Sequence, residues 1–350
     1  MTEIKQYFPE IDGFKGFLAL CIAGFHFEVI FFGASKYFAT GFLAVEAFFI
    51  ISGFLLMHSL QKTSHIDPVK ISLNKAQKIY LTYFIALIAM VAASFAIDSH
   101  LQINREFTNV FISEALMIQM LGFFQIWGLN YPDWFVSALL IGVLAITFTY
   151  RYLKKYFFFL CLFAAITIYT ILQGNGTLDA FKSKTLPFML DGTLRATAGL
   201  CVGIVIYYLH QAPYFKSPHP YIRHTLQLAS LFWLLTILFR NTASVFDFYI
   251  LLAFPLLFYT TLDGFGLLSK LLRSRAMVFL GKLSVTMFLF HALWIKLFVY
   301  TYTCLALDRS TSQAFLKITL FLLTATLLTY LTQLLLNRFS QLLKKITLPS

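Results

Sequence analysis

Residues 11–29 read IDGFKGFLALCIAGFHFEV. From Phe14 to Phe27 the run is apolar enough to enter a hydrocarbon core, yet it carries Lys15 near its start and His26 well inside, with Glu28 just beyond. The composition of the rest of the chain decides what surrounds this run. Of 350 residues, 59% are hydrophobic, 18% aromatic and only 12% charged. A soluble domain normally carries about 25% charged residues. The mean hydropathy is +0.77, and apolar runs long enough to cross a roughly 30 Å hydrocarbon core recur from end to end. The sequence therefore predicts an all-α, polytopic bundle of membrane helices forming one domain over 1–350, with the lipid bilayer as its main partner.

Glu3, Glu10 and Asp12 lie where a cleavable signal would carry positive charge, and no small-residue cleavage site follows, so the first apolar segment is expected to stay as a helix. Cys21, Cys161 and Cys201 fall inside apolar segments and Cys304 near a helix end, without metal-ligand spacing. They read as free thiols, and no metal is expected.

Ten spans are expected, at about 12–33, 41–60, 78–97, 132–150, 156–173, 188–210, 224–240, 245–262, 278–300 and 313–337. The apolar stretch 110–128 is the ambiguous one, and charge decides its status. Basic residues concentrate in 61–78, 151–155, 211–223 (Lys216, Arg223) and 263–282, and again in the tail with Arg338, Lys344 and Lys345. If 110–128 does not cross, all these rich connections fall on one side, as the positive-inside rule requires, and both termini are cytoplasmic. It is therefore expected to be re-entrant or interfacial on the outer side. The net charge of +12 then reflects topology. Nucleic acid is not an expected partner, because the basic residues are dispersed over loops.

Ionisable residues within spans are costly and usually face a bundle interior or a pathway. His26, Glu46, Arg195, His291, Lys296 and Lys317 are the main ones. Lys296 and Lys317 lie near helix ends, where a long side chain reaches the interface. Lys15 and His26 are eleven residues apart, within about 20° of three full turns, which puts them on one helix face roughly 16 Å apart. A cation at the inner mouth and an imidazole deeper in suit an anionic substrate entering end-on; a snorkelling lysine and a hydrogen-bonded histidine fit the spacing equally. Lys75 and Lys78, at i and i+3, share a face. They suit phosphate contacts or the positive-inside bias alike.

Six motifs occur in register. They are Asp12-Gly-Phe-Lys15-Gly16 with His26 after it, and Glu46 before Phe48-Phe-Ile-Ile-Ser52-Gly53-Phe-Leu55. Lys75 and Lys78 precede Ile79-Tyr80, and Trp134-Phe-Val-Ser137-Ala138 follows. The last two are Arg195-Ala-Thr-Ala-Gly199 and Gly281-Lys-Leu-Ser284 with Leu289-Phe-His291. Over about residues 10–300 the chain thus resembles the acyltransferase 3 family of integral membrane acyltransferases, whose ten-span topology agrees with the charge argument. The first-helix arginine of the family motif is Lys15 here, and the 75–78 cluster has lysines where arginines are usual. Lysine keeps the charge without the bidentate geometry. Leu139 stands where some members have a glutamate, so no role of that acid carries over.

The resemblance implies transfer of an acyl group, usually acetyl from acetyl-CoA as co-substrate with no bound cofactor, to a hydroxyl of a carbohydrate. Capsule, exopolysaccharide and O-antigen are such acceptors, and the setting would be the bacterial inner membrane. It implies His26 as base, with Glu46 orienting it and Arg195 stabilising charge or binding acceptor. Lys15, Lys75, Lys78 and Tyr80 would contact the donor, and Ser52, Trp134, Ser137 and His291 would support the acceptor. The rival reading is a transporter or a flippase of a lipid-linked glycan, since intramembrane His, Glu and Arg also suit ion coupling. Against it stands the lack of an internal repeat in the sequence. The sequence does not indicate an oligomeric state.

Overall fold

The computed structural model describes residues 7–98, 102–123, 128–179, 181–186, 189–212 and 220–347. Lys216 and positions 124–127 of the ambiguous stretch lie outside the described residues, as do the side chains of Lys344 and Lys345. Among the described residues there are twelve α-helices, and the one β contact is an isolated bridge between Leu186 and Met189. In chain order the helices are α1 (Pro9–Phe32), α2 (Ala44–Leu60), α3 (Pro68–Ile97), α4 (Arg105–Ala115), α5 (Trp134–Leu153) and α6 (Phe157–Gln173). They continue with α7 (Asp191–Gln211), α8 (Pro220–Leu238), α9 (Ile250–Thr261), α10 (Gly266–Leu272), α11 (Arg275–Cys304) and α12 (Ala314–Thr347).

Each of the ten expected spans falls on one of these helices. Seven runs are long and apolar enough to cross a bilayer, and the pair Val245–Thr261 and Gly266–Leu272, bent by 86°, makes an eighth if taken together. One of the seven is the 43-residue run Tyr131–Gln173, which contains both α5 and α6. It doubles back at Lys154–Tyr156. Trp134 at the start of α5 and Tyr169 near the end of α6 meet the same Glu46–Arg195 pair, while Tyr150 packs on Phe157 at the opposite end. α8, with Arg223 and His224 in its first turns, is not among the seven.

The ambiguous stretch does not form a span. α4 has 11 residues, about 17 Å of helix against a roughly 30 Å core. The chain then turns at Met117 (φ 57°) and Gly122 (φ 75°) and is stitched to its neighbours. Met120 donates its N–H to the Ser137 hydroxyl (3.1 Å) and its carbonyl accepts from the Thr193 hydroxyl (3.2 Å).

Local sequence explains where the long helices begin and end. Pro sits in the first turn of α1 and α3, where no N–H partner is lost. Asp67 caps α3 by accepting from the Lys70 N–H at 3.0 Å. α1 ends on Gly33 in the left-handed conformation, φ 75°. Just before that end, Glu28 accepts the backbone N–H groups of Lys36 (3.2 Å), Tyr37 (3.0 Å) and Phe38 (2.7 Å) and the Ser35 hydroxyl. This carboxylate belongs to no motif, and its work is to fold the 33–40 connection.

Two helix pairs organise the centre, α1 with α11 and α2 with α7, and both close through glycine. A side chain on Gly281 of α11 would strike the Asp12 carbonyl, and one on Gly16 of α1 the Leu280 side chain and the Gly281 backbone nitrogen. On the other pair, Gly203 faces the Ile50 carbonyl and Gly53 that of Leu200. Such contact lets backbones approach where lipid supplies no hydrophobic drive. The motif glycines are thus packing positions that set the depth of the residues between them.

Candidate active site

The α1–α11 contact places His26 and His291 side by side, with ring centroids 5.2 Å apart and planes inclined by 26°. Tyr131, just before α5, closes the triangle. Its ring is 4.8 Å from His26 and 5.8 Å, edge-on, from His291. The Nδ1 of His291 lies 2.7 Å from the Phe288 carbonyl. A carbonyl only accepts, so Nδ1 carries the proton and Nε2 presents its lone pair. That Nε2 is buried and without a hydrogen-bond partner among the described residues, as is the Tyr131 hydroxyl. No described residue hydrogen-bonds the His26 ring. Two buried polar atoms with unused capacity therefore converge on the half-buried His26, which is uncommon for buried groups without a ligand or function.

A hydrogen-bond frame behind Tyr131 fixes its position. Asn130 donates to the Leu289 carbonyl (3.0 Å) on α11 and to Asp133 (2.8 Å). Gln119 donates to the Asp133 carbonyl (3.0 Å) and to the Tyr83 hydroxyl (3.3 Å), which itself donates to the Glu114 carbonyl (2.8 Å). Glu114 in turn accepts the N–H groups of Leu129 (2.9 Å) and Asn130 (3.4 Å). Burial pushes the Glu114 carboxyl up to about 8, opposed by those two N–H groups. None of Tyr83, Glu114, Gln119, Asn130, Tyr131 and Asp133 was expected from the sequence. The available signal was Glu114 within an apolar run, and Asn130-Tyr-Pro-Asp133 directly before the Trp134 motif.

A second cluster lies on α2 and α7. Glu46 is fully buried and accepts from Arg195 Nε at 2.6 Å and from the Tyr169 hydroxyl at 2.9 Å. The Arg195 guanidinium sits over Trp134, 5.4 Å from the ring centre, and Trp134 stacks on Phe181 at 4.5 Å. One nitrogen, Arg195 Nη2, is buried and unpartnered among the described residues. Among the described residues Glu46 bonds to Arg195 on α7 and Tyr169 on α6, with no contact to His26. The rings of Phe48, Phe135 and Phe288 form the layer between α2 and His291, with Phe48–Phe135 at 6.2 Å and Phe135–Phe288 at 5.0 Å.

The expected donor contacts remain apart. Lys15 pairs with Asp12 at 2.6 Å. Lys75 is half-buried on α3, Lys78 exposed, and Tyr80 is 42% exposed and stacked on Phe84. Lys75 stands eight residues before Tyr83, about 12 Å along the helix. No described contact joins Lys15 to either lysine. Ser137 holds the Met120 N–H and is a framework residue, and Ser52 is half-buried in α2 beside the Gly53 contact.

A cavity of about 520 Å³ opens between α1, α3 and α11 and reaches Tyr131. Ile30, Met90, Ile97, Ala292, Ile295 and Val299 supply its apolar wall. Among the described residues, the charges on its lining are Asp98 and Lys296, paired with each other at 2.5 Å.

Comparison with protein-family models matches residues 8–334 to the acyltransferase 3 model, described as an acyltransferase domain. The chain belongs to the acyltransferase 3 family. The match spans nearly all of it, and with the apolar helices it identifies a multi-pass integral membrane acyltransferase. No curated protein and no solved structure matches it. Within this family member, the first- and last-motif histidines are brought into contact although 265 positions separate His26 from His291.

Proposed function

We propose that the protein transfers an acyl group from a cytoplasmic acyl-CoA to a hydroxyl of a cell-surface carbohydrate at the bacterial inner membrane, with His26 as the base. The observation that carries this reading is the His26–His291–Tyr131 triangle, with buried unpartnered atoms on His291 and Tyr131 and with Tyr131 lining a cavity. Imidazole is the side chain suited to accept a hydroxyl proton near neutral pH. The acceptor oxygen bonds to the carbonyl carbon of the thioester as the C–S bond breaks. The hydroxyl proton passes through His26 to the departing sulfur, leaving an ester and free CoA thiol. In this reading the Tyr131 hydroxyl, unpartnered among the described residues, donates to the oxyanion between those events. Direct transfer needs no acyl-enzyme.

Lys15, Lys75 and Lys78 supply positive charge at the expected inner end for the donor phosphates. Arg195, held by Glu46 and seated on Trp134, offers a cation to the acceptor.

The test is purified protein in lipid nanodiscs with radiolabelled acyl-CoA. Thioester turnover is expected for the wild type, and a His26→Ala protein that inserts normally should lose it by at least about 100-fold. Undiminished turnover in that variant would remove His26 as base. A transporter or flippase would turn over no thioester at all.

A further inference from the structure

We infer that the cavity between α1, α3 and α11 is the pocket for the acyl chain of the donor, and that it selects acyl groups longer than acetyl. The inference rests on the acyl-CoA reading above and names the donor class of that same site. Acetyl is what the family resemblance implies; the shape and lining of this pocket argue for more carbon.

The cavity is graded from rim to floor. At the rim Ile30 and Tyr300 are 40% and 46% exposed, whereas Met90, Ala292 and Ile295 on the inner wall are 8%, 1% and 0% exposed. The inner wall meets the histidine cluster at Tyr131. Tyr131 lines the cavity itself, Ala292 follows His291, and Ile295 lies one turn beyond it. The space is therefore an apolar sleeve that ends on Tyr131, whose ring contacts His26 and His291, and its occupant must match both parts.

Two molecules take part in the reaction, and they differ in which end meets the imidazoles. A carbohydrate acceptor, even one carried on a lipid, puts its hydroxyl-rich ring next to the reacting atoms. There it would lie against Met90, Ala292 and Ile295, which return none of the hydrogen bonds it gives up to water. The charges that might serve it, Asp98 and Lys296, already satisfy each other. An acyl thioester has the opposite pattern. On the acyl side of the sulfur its single polar group is the carbonyl at the reacting atoms, and the rest is hydrocarbon. The carbonyl meets Tyr131 and the histidines while the chain runs outward along Ile295, Ile97 and Val299. The pocket takes no part in bond making. It positions the carbonyl for the C–S to C–O exchange already described.

Each methylene moved from water into an apolar wall contributes about 0.8 kcal/mol, which is about fourfold in binding. The experiment is a chain-length series, acetyl- to octanoyl-CoA, on the purified wild type in nanodiscs. The expected result is kcat/KM rising by about fourfold for each methylene over the first several carbons. In Val299→Trp, which narrows the sleeve, the octanoyl-to-acetyl ratio should fall by at least tenfold. If that variant does not fold, the wild-type series alone decides. Acetyl-CoA turned over as well as, or better than, the longer thioesters would overturn the inference and leave the acyltransfer reading intact. Turnover of no thioester of any length would overturn the reading beneath it. A Val299→Trp protein with an unchanged chain-length ratio but uniformly weakened use of the acceptor would assign the pocket to an acceptor lipid, and so also overturn the inference.

Discussion

His26 and Glu46 look alike in the sequence, each a lone ionisable group in an apolar span, but their surroundings separate them. Glu46 accepts from Arg195 and Tyr169, whereas no described residue hydrogen-bonds His26. Removing one member of a buried ion pair strands the other, at about 3–5 kcal/mol. Glu46→Ala is therefore expected to unfold at a clearly lower temperature than wild type in detergent, measured by intrinsic fluorescence, and to lose turnover for that reason. His26→Ala should lose turnover with its melting temperature nearly unchanged, since it gives up ring contacts but no hydrogen bond. His291→Gln is the intermediate case. An amide keeps a donor towards the Phe288 carbonyl and removes the ring lone pair, so stability should largely hold while turnover falls. Spacing could identify these residues as candidates. It could not assign partners, because which helix faces which depends on glycine contacts such as Gly281 on Asp12 that no single segment encodes.

At the scale of elements, the turn before α5 is the part the sequence least revealed. Helical periodicity exposes amphipathic faces, but α4 and the 116–131 stretch are held by side chains bonding to backbone at no regular spacing. Glu114 is the pin, gathering the Leu129 and Asn130 N–H groups just ahead of Tyr131. Its carboxyl is raised by burial from 4.5 to about 8, so the folded protein favours the protonated form more than the unfolded chain does. The stabilisation is complete below pH 4.5 and is lost as pH rises through about 8, where it levels off. The wild-type melting temperature should accordingly decline from about pH 5 to 8. In Glu114→Gln, which stays neutral and keeps one oxygen to accept the Leu129 N–H, that decline should flatten. A decline of equal size in both proteins would remove Glu114 as its source.

Across the whole molecule, hydropathy located the helices well because each long apolar run folds as a helix in any membrane packing. The Lys154–Tyr156 break, invisible to a simple apolarity measure over 131–173, was marked instead by its charges, Arg151, Lys154 and Lys155. Those same charges set the expected orientation, with the Lys15 end and the Lys154 turn in the cytoplasm and the α11–α12 connection outside. The thiols allow a direct check. Cys21, Cys161 and Cys201 are buried and Cys304 is exposed at the end of α11. A membrane-impermeant maleimide added to intact cells should label Cys304 alone. In a Cys304→Ser protein carrying Lys154→Cys, labelling should appear only once the membrane is opened. The result bears on chemistry as much as on topology, because acyl-CoA is made in the cytoplasm. Were Cys304 labelled only after opening, the lysines of α1 and α3 would face the side that holds no donor, and the proposed direction of acyl transfer would fail with the orientation.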